Sequence, residues 1–449
     1  MVVTMMGEAG MDLDIICVDM DAFFASVEIR DNPSIAFQPV IVCGRGRRSV
    51  VASCSYEARL DGVHSAMPVE QAKRLCPRGR FVVARFPVYQ QASKELHAIL
   101  QRFTPWVEGV ALDEAYLDVR SAHRLFGSSS RIAVSIREAV WKEMGLPCSV
   151  GVGSSKLVAK LASELAKPRI VGSTVQPGQG VVVVPRLSEQ SFLSGLEVSR
   201  LPGVGPVTLT KLKALGVSKV EDLLSVDFNI LSKRLGGTAA RRLMDLARGH
   251  DSRQVVPDRQ RKSIGREITF DRDTQDITEL RQLLSNLADQ VGKTMQKEDK
   301  AAHGVTIKLR FANFTTITRS RSERLPLCSS SEVARLAIAL LDQIDIVMPV
   351  RLIGVSVSGL VAVQEKYYQQ VLALDDLDGA SSHWPAGSSP YASRNRIALP
   401  GPETRIRSNS SHADDKLALA LETVRKRFGP KAISSRVLVY PSGLDGLSE

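Results

Sequence analysis

The chain lacks the segments that would place it in a membrane or carry it out of the cell. Its 449 residues contain no run of about 18 apolar side chains, the length that a membrane-spanning helix needs. Residues 1–11 include Glu8 and no basic residue, whereas a secretory signal begins with positive charge. We therefore expect a cytoplasmic protein that has no membrane partner.

Cysteine and histidine are also too scattered to build the usual structural sites. The sequence has six cysteines and seven histidines, with no C-x-x-C pair and no pair of histidines at zinc-finger spacing. Reduced thiols fit this pattern better than disulfide bonds or structural zinc.

Positive charge, in contrast, is in excess. The formal net charge is +11, which suggests a polyanionic partner, either nucleic acid or an anionic membrane surface. No basic amphipathic helix favours the membrane. The length exceeds what one hydrophobic core supports, so several domains are expected.

Hydrophobic periodicity predicts an α/β layer in the first part of the chain. A buried strand is expected at 15–18 and two short strands within 106–119. Helices are predicted at 88–103, 132–140 and 155–166. Strands that alternate with helices indicate an α/β architecture.

Two more folded parts and a tail are predicted beyond this layer. Residues 184–250 carry only helical patterns, and 251–262 are charged without an apolar period, as in a linker. Residues 263–362 alternate strands and helices as a small α+β domain. We expect 363–449 to be mostly disordered, apart from a short helix at 414–428.

Two acidic segments interrupt apolar stretches. Asp19 follows the predicted strand at 15–18, and Asp113 and Glu114 stand between two apolar triplets. Clustered carboxylates repel one another unless cations lie between them. Oxygen ligands suit magnesium or manganese, and two such ions can activate a 3′-hydroxyl and bind a leaving pyrophosphate. The residues alone leave open the alternative of solvated acids at loop ends.

Five short motifs follow one another along the chain. They are VDMDAFFASVE at 18–28, SYEAR at 55–59, SAMP at 65–68, LDEAYLD at 112–118 and LPGVG at 201–205. In content and order they resemble the motifs of Y-family DNA polymerases, in particular the bacterial DinB, or DNA polymerase IV, branch. The similarity runs from about residue 12 to residue 362.

The resemblance implies an α/β and α+β multidomain fold, the right-hand polymerase with a ferredoxin-like palm. It implies a palm at 1–22 and 87–183, small fingers at 23–86, a helical thumb with a helix-hairpin-helix at 184–250, a linker at 251–262 and a little finger at 263–362. The implied activity is low-fidelity, template-directed DNA synthesis in DNA damage tolerance, with primer-template DNA and dNTPs as partners. A monomer is expected.

By the same resemblance, the acids hold two magnesium ions per active site, with manganese as an alternative. Asp19, Asp113 and Glu114 are the expected ligands, with the Met20 carbonyl as a further one. Asp21 is expected to point to the opposite face from Asp19 and is not counted as a ligand.

The resemblance also assigns the contacts to the incoming nucleotide. Phe24 is expected to stack under the sugar and to exclude a 2′-hydroxyl, while its neighbour Phe23 fits a core position as well. The triphosphate contacts are expected at Tyr56, Arg59, Lys167 and Lys160. A phenol and a guanidinium suit phosphate oxygens, although a lysine alone is more often a solvated surface charge.

Two regions are expected to bind DNA. Gly203 and Gly205 form a hairpin whose backbone N–H groups can approach a phosphate, with Lys211 nearby, unless the hairpin is only a tight turn. The second set, on two adjacent predicted strands of the little finger, is Lys308, Arg310, Arg319 and Arg321. A solvated basic edge is the alternative for this set.

The segment QQVLAL at 369–374 resembles the peptide by which bacterial polymerases bind the sliding clamp. Gln369 would anchor it by hydrogen bonds, and Leu372 and Leu374 would fill an apolar pocket. Two competing interpretations of the whole chain stay open: a nucleotidyl cyclase on a palm-like sheet, and a non-catalytic DNA-binding accessory protein. Primer extension separates both from a polymerase.

Overall fold

The structure of the protein is a computed structural model that describes residues 13–257 and 259–363. The strands, in chain order, are β1 (Ile15–Met20), β2 (Val40–Cys43), β3 (Val51–Cys54), β4 (Arg80–Val83), β5 (Val107–Gly109), β6 (Glu114–Asp118), β7 (Cys148–Gly153), β8 (Arg169–Val171), β9 (Thr174–Gln176), β10 (Val181–Val183), β11 (Ser263–Thr274), β12 (Lys300–Phe311), β13 (Thr316–Leu327) and β14 (Val350–Ala362). The helices are α1 (Phe23–Asp31), α2 (Tyr56–Leu60), α3 (Val69–Leu75), α4 (Phe86–Gln101), α5 (His123–Phe126), α6 (Ser129–Met144), α7 (Lys156–Ala166), α8 (Glu189–Ser194), α9 (Pro206–Lys213), α10 (Val220–Ser225), α11 (Phe228–Leu235), α12 (Gly237–Ala247), α13 (Ile277–Lys297) and α14 (Ser330–Leu341). The predicted clamp peptide at 369–374 and the predicted helix at 414–428 lie outside the described residues.

β1 is the central strand of a five-stranded sheet with the order β10-β7-β1-β6-β5, and it is antiparallel to both neighbours. All six of its residues are buried, because helices cover both faces of the sheet. Ile16 and Val18 pack into the core shared with α4 and α6, whereas Cys17 contacts Ala159 of α7 on the other face. Side chains alternate along a strand, so Asp19 belongs to the face that α7 covers.

The elements predicted for this layer are confirmed. The strands expected at 15–18 and within 106–119 correspond to β1, β5 and β6, and the three expected helices correspond to α4, α6 and α7. Ser155 caps α7, since its side chain accepts a hydrogen bond from the N–H of Val158.

α7 lies very close to the sheet because β7 presents a glycine to it. A Cβ added to Gly151 would lie 2.0 Å from the carbonyl oxygen of Ala159 and 2.2 Å from the backbone nitrogen of Ser163, so no side chain fits there. The close approach brings Lys160 of α7 over the neighbouring strand, which carries Asp19.

Residues 23–86 contain a separate three-stranded sheet with the order β3-β2-β4. Its small core includes Ile41, Val51 and Met67. α1, from the same segment, packs on the core of the five-stranded sheet through Phe23, and Val40 and Val42 of β2 belong to that same core. α1 therefore lies between the five-stranded sheet and the smaller one and contacts both.

The rest of the described chain has two further cores. Between 184 and 250 the elements are helical, as predicted, and α8 to α12 enclose a core that Leu157 and Leu161 of α7 also enter. Residues 263–362 form a four-stranded sheet with the order β11-β14-β12-β13, with α13 and α14 packed on one face. This is the small α+β unit that the sequence predicts.

The segment 251–262 has no helix or strand among its described residues, but it contacts the five-stranded sheet. Val255 is buried in a cluster with Cys17 and Tyr116, on the face that α7 covers. The sequence does not predict this contact, because one apolar residue in a charged segment gives no hydrophobic periodicity.

Hydrogen bonds hold the same segment on both sides of Val255. The Asp251 carboxylate accepts from the N–H of Leu157 at 2.9 Å, at the first turn of α7. The N–H of Val256 donates to the buried Glu108 at 2.7 Å, and Glu108 also pairs with the buried ammonium of Lys156. The connection between α12 and β11 is therefore fixed to the sheet.

A second contact joins the 44–49 loop to β11. Arg48 pairs with the Asp273 carboxylate and donates to the carbonyl oxygen of Phe270 at 3.1 Å. The N–H of Arg47 donates to Asp271 at 3.2 Å. Two segments that are more than 200 residues apart in sequence thus meet at this loop.

In the described ranges, no helix is both long and apolar enough to cross a membrane. The six cysteines all lie in these ranges as free thiols, and five of them are buried. Their thiols contribute to the cores as small apolar groups.

Candidate active site

The two acidic segments meet on neighbouring strands. Asp19 stands directly opposite Glu114 in the register of β1 and β6. The N–H of Met20 donates to the carbonyl oxygen of Asp113 at 2.9 Å, which fixes the residue before β6 beside the end of β1. Carboxylates about 95 residues apart in sequence are therefore brought together by strand pairing.

Two ammonium groups of α7 and its C-terminal end contact these carboxylates. Lys160 Nζ donates to Asp19 Oδ2 at 2.7 Å and to Glu114 Oε2 at 2.8 Å. Lys167 Nζ donates to Asp19 Oδ1 at 2.7 Å. Asp19 is only 5% exposed, so both of its oxygens are satisfied by positive charge in a largely dry site.

The electrostatics of the site follow from this crowding. Burial raises the pKa of Asp113 above its usual range, and the neighbouring Asp19 raises it further. Burial alone would lower the pKa of Lys160, but Asp19 and the other acids around it outweigh that effect, and the net pKa lies above the usual value. The charged form of Lys160 is therefore strongly favoured.

The donor set fits a hard divalent cation, although the side chains are not arranged around one point. In the part of the chain that the structure describes, no group of three histidine, cysteine or acidic side chains surrounds a single position. The oxygens of Asp19 and Glu114 nevertheless converge on one cationic group, the ammonium of Lys160. An oxygen-ligated ion such as magnesium would take over those oxygens from Lys160.

The expectation that Asp21 faces away from Asp19 is wrong. Residues two apart in a strand share a face, and β1 ends at Met20 before the chain turns. Ser149, which pairs with Asp19 across β1 and β7, donates to Asp21 Oδ1 at 2.8 Å. Burial raises the pKa of Asp21 to about 6, and the hydrogen bond from Ser149 offsets part of that effect.

Tyr56 and Arg59 lie together on α2, as their motif predicts. The Arg59 guanidinium stands 4.4 Å from the centre of the Tyr56 ring. The Tyr56 hydroxyl is buried and, within the described residues, has no hydrogen-bond partner of normal geometry. Burial and the nearby Asp21 raise its pKa, so it stays a hydrogen-bond donor. A buried donor of this kind is costly unless a ligand accepts from it.

The two neighbouring phenylalanines have different environments. Phe23 is 3% exposed and belongs to the core, whereas Phe24 is only partly buried. Ala22, with a left-handed φ of 48°, precedes α1, and the two rings point in different directions because they are consecutive residues of that helix. Phe24 stacks on Tyr89 of α4, a residue that the sequence motifs did not single out.

The predicted DNA-binding residues are not all on one surface. Gly203, with φ of 98°, forms the turn before α9, and Gly205 is the residue that precedes its first turn. Lys211 is exposed on α9.

The basic residues of β12 and β13 divide between two faces of their sheet. Lys308 and Arg310 alternate with the core residues of β12 and point to the open face. Arg319 and Arg321 stand opposite Ile307 and Val305, whose side chains enter the core. They therefore project on the helix side of the edge strand β13, and the four residues do not form one patch.

Sequence reasoning missed the residues that support the site from behind. Ser149, Tyr89, Glu28 and Glu108 are buried polar or aromatic residues that touch predicted site residues or their helices. Glu28 closes the motif at 18–28, but no role was assigned to it; the others show only as polar or aromatic residues within apolar segments, a signal too common to be specific.

Three family models match the chain in order. They are the impB/mucB/samB family at 18–164, the thumb domain of DNA polymerase-iota at 199–251 and the impB/mucB/samB C-terminal domain at 261–372. A DNA polymerase IV of Desulfatibacillum aliphaticivorans is 43% identical over 348 residues, which are 77% of this chain and 85% of the relative. A DNA polymerase IV of Alkalilimnicola ehrlichii is 42% identical over 359 residues, 80% of this chain and 98% of the relative.

Solved structures give the same family. A Y-family DNA polymerase chimera of Dbh and Dpo4 matches with a TM-score of 0.70 and 28% identity, over 78% of this chain and 99% of the other. An insertion ternary complex of Dbh DNA polymerase matches with a TM-score of 0.57 and 27% identity, over the same shares. The resemblance in the motifs is thus confirmed along most of both chains. The chain belongs to the Y-family of translesion DNA polymerases, in the DinB, or DNA polymerase IV, branch.

Proposed function

We propose that the chain adds dNTPs to a primer 3′ end by phosphoryl transfer at two divalent ions held by Asp19, Asp113 and Glu114. The observation that carries this proposal is the pairing of Asp19 with Glu114 across β1 and β6, with their oxygens on one shared cationic group. Asp113 lies beside them through its backbone hydrogen bond to Met20. Acids that converge on positive charge in a buried position suit a polyphosphate reaction.

The two oxygens of Asp19 have separate tasks in this proposal. Oδ1 contacts Lys167 and Oδ2 contacts Lys160, so one carboxylate already serves two positive centres. Asp19, Asp113 and Glu114, with the Met20 carbonyl as a further oxygen, would hold the ions. Magnesium, or manganese as an alternative, would lower the pKa of the primer hydroxyl and neutralise the triphosphate.

Side chains of α1, α2 and α7 supply the proposed nucleotide contacts. Phe24 would lie against the sugar and exclude a 2′-hydroxyl. The unpaired hydroxyl of Tyr56 and the guanidinium of Arg59 would donate to phosphate oxygens. Lys167, and less directly Lys160, would move from the acids to the phosphates as these arrive, since both carry charge that a triphosphate accepts.

Primer-template DNA would be held by charge and backbone contacts. The ternary complex of the Dbh neighbour supports DNA and a nucleotide as partners. The proposed contacts are the hairpin at Gly203 and Gly205 with Lys211, and the open little-finger face with Lys308 and Arg310. Binding of this kind weakens steeply as salt rises. Arg319 and Arg321 would reach DNA only from the other side of the edge strand.

The proposed clamp peptide lies at 369–374, outside the described residues, and the chain is proposed to act as a monomer. We expect deletion of 369–374 to remove stimulation by a bacterial sliding clamp while clamp-free synthesis stays near the wild-type rate. Clamp stimulation that survives the deletion excludes this peptide as the contact.

Primer extension with single dNTPs tests the proposed function directly. Asp113→Asn keeps the shape of the side chain but removes a ligand charge, so we expect extension to fall by about 100-fold or more at saturating magnesium. The matched control is Asp289→Asn, which removes a surface acid of α13 that pairs with Lys293. A full extension rate in Asp113→Asn would rule out the proposed site.

A further inference from the structure

Phe24 stacks on a second aromatic ring. Its ring is nearly parallel to that of Tyr89, with centroids 4.3 Å apart and 12° between the planes. Tyr89 is fully buried on α4, whereas Phe24 on α1 keeps part of its surface exposed. Since an offset stack prefers one orientation, the buried ring sets how the exposed one is presented.

A hydrogen bond fixes Tyr89 to the same helix that carries Phe24. The Tyr89 hydroxyl donates to Glu28 Oε1 at 2.6 Å. Phe24 and Glu28 are four residues apart on α1 and therefore share one side of that helix. Tyr89 is held at two points of α1, by its ring and by its hydroxyl, so it cannot turn without losing one of them.

Arg85 in turn holds the carboxylate of Glu28. Its Nε donates to Glu28 Oε1 at 2.8 Å and to Oε2 at 3.1 Å, and its terminal nitrogen donates to Asp31 at 2.7 Å. Glu28 is only 5% exposed, so an ionised carboxylate there depends on this partner. An ionised acceptor also gives the tyrosine a stronger hydrogen bond than a neutral one does.

We propose that Arg85, Glu28 and Tyr89 are positioning residues that hold the Phe24 ring in the orientation that rejects a 2′-hydroxyl. The inference rests on the proposed role of Phe24 against the sugar. The three residues act only through that ring. Rejection of one added oxygen requires a rigid surface within contact distance, because a ring that can tilt makes room for it.

The first test is the ratio of kcat/KM for a ribonucleotide to kcat/KM for the matching dNTP. Tyr89→Phe keeps the buried ring and its stack but removes the hydroxyl. We expect this ratio to rise by up to about tenfold, because one hydrogen bond to a charged group is lost and part of it is transmitted to the ring. The KM for the dNTP should stay within about twofold of wild type, since no nucleotide contact is removed.

Substitutions of Glu28 extend the test, and a distant acid, Glu143, provides the control. Glu28→Ala should raise the ratio as Tyr89→Phe does, and Glu28→Gln should restore part of the discrimination, because an amide oxygen still accepts from the tyrosine. Glu143→Gln removes an exposed carboxylate that pairs with Arg102 at the other end of α4, and it should leave the ratio unchanged. Thermal midpoints show whether any variant has merely lost stability.

A double substitution decides whether Tyr89 acts through Phe24. In the Phe24→Ala background, adding Tyr89→Phe should change the ratio no further, since the ring that it positions is gone. An equal rise in both backgrounds overturns the inference. So does an unchanged ratio in Tyr89→Phe and Glu28→Ala when Phe24→Ala alone raises it. An unchanged ratio in Phe24→Ala removes the proposed sugar contact itself, and the positioning role with it.

Discussion

Lys160 is the residue at which the two acidic segments are joined. Its ammonium contacts Asp19 and Glu114 on different strands, and its side chain is only 20% exposed. A buried carboxylate and a partly buried one opposite each other repel strongly without such a charge. A divalent ion that binds the same oxygens would have to compete with the ammonium. We therefore expect Lys160 to stabilise the site without an ion and to weaken the affinity for one.

Lys160→Met separates these two effects. The variant keeps the length and packing of the side chain but removes the charge. Without added ions, the free energy of unfolding should fall by about 3 kcal/mol, since a largely buried ion pair loses one partner. The affinity for manganese should rise by about tenfold, because the competing cation is gone. Calorimetric titration and thermal unfolding with and without ions measure both quantities.

The control for this pair of measurements is Lys142→Met, an exposed lysine of α6. It should change neither the ion affinity nor the stability. A Lys160→Met variant with wild-type affinity and wild-type stability would show that the ammonium does not compete at these oxygens.

At the residue scale, the sequence predicted which acids come together better than it predicted where side chains point. Asp19, Asp113 and Glu114 stand out because acids rarely interrupt buried strands, and the structure places them at two neighbouring strands. Arg319 and Arg321 were expected only to lie on a strand adjacent to that of Lys308 and Arg310. Their face depends on the register of two strands, and a shift of one residue reverses it.

At the scale of elements, α7 shows what periodicity can and cannot establish. Its apolar pattern and a cap at either Ser154 or Ser155 predict the helix at 155–166, and the structure has it at Lys156–Ala166 with Ser155 as the cap. Its distance from the sheet depends on Gly151 of β7, which faces the helix only because β7 pairs with β1. That pairing joins residues about 130 positions apart, so no local pattern reveals that α7 carries Lys160 to the acids.

The connection that follows α12 is a second case in which local patterns do not predict a contact. Its composition is that of a linker, and its described residues have no regular secondary structure. Val255 nevertheless fills a site beside Tyr116, and Asp251 and Glu108 anchor the backbone on either side. Residues 263–362 therefore follow a connection that is fixed to the five-stranded sheet and to the first turn of α7.

On the scale of the whole molecule, the described chain builds several cores that meet at particular side chains. Each core follows from local patterns, which is why the sequence predicts them. Leu157 and Leu161 of α7 enter the core of α8 to α12, and Arg48 pairs with Asp273 of β11. No local pattern tells which distant element such a side chain meets. The arrangement of the parts is therefore the portion of the fold that the sequence left open.

The Arg48 contact predicts how firmly the fingers and the little finger stay together. The side chains of Arg48 and Asp273 are 25% and 20% exposed. A Cβ on Gly46 would lie 3.2 Å from Asp271 Oδ1, so Gly46→Cys and Asp271→Cys should form a disulfide across the contact. Arg48→Asp should slow this crosslinking by about fivefold, because two acids then face each other. Adding Asp273→Arg to that variant should restore the rate, since the pair is rebuilt in reverse. High salt should reduce the difference between the variants. A crosslinking rate that ignores the charge at position 48 would mean that backbone packing alone joins the two domains.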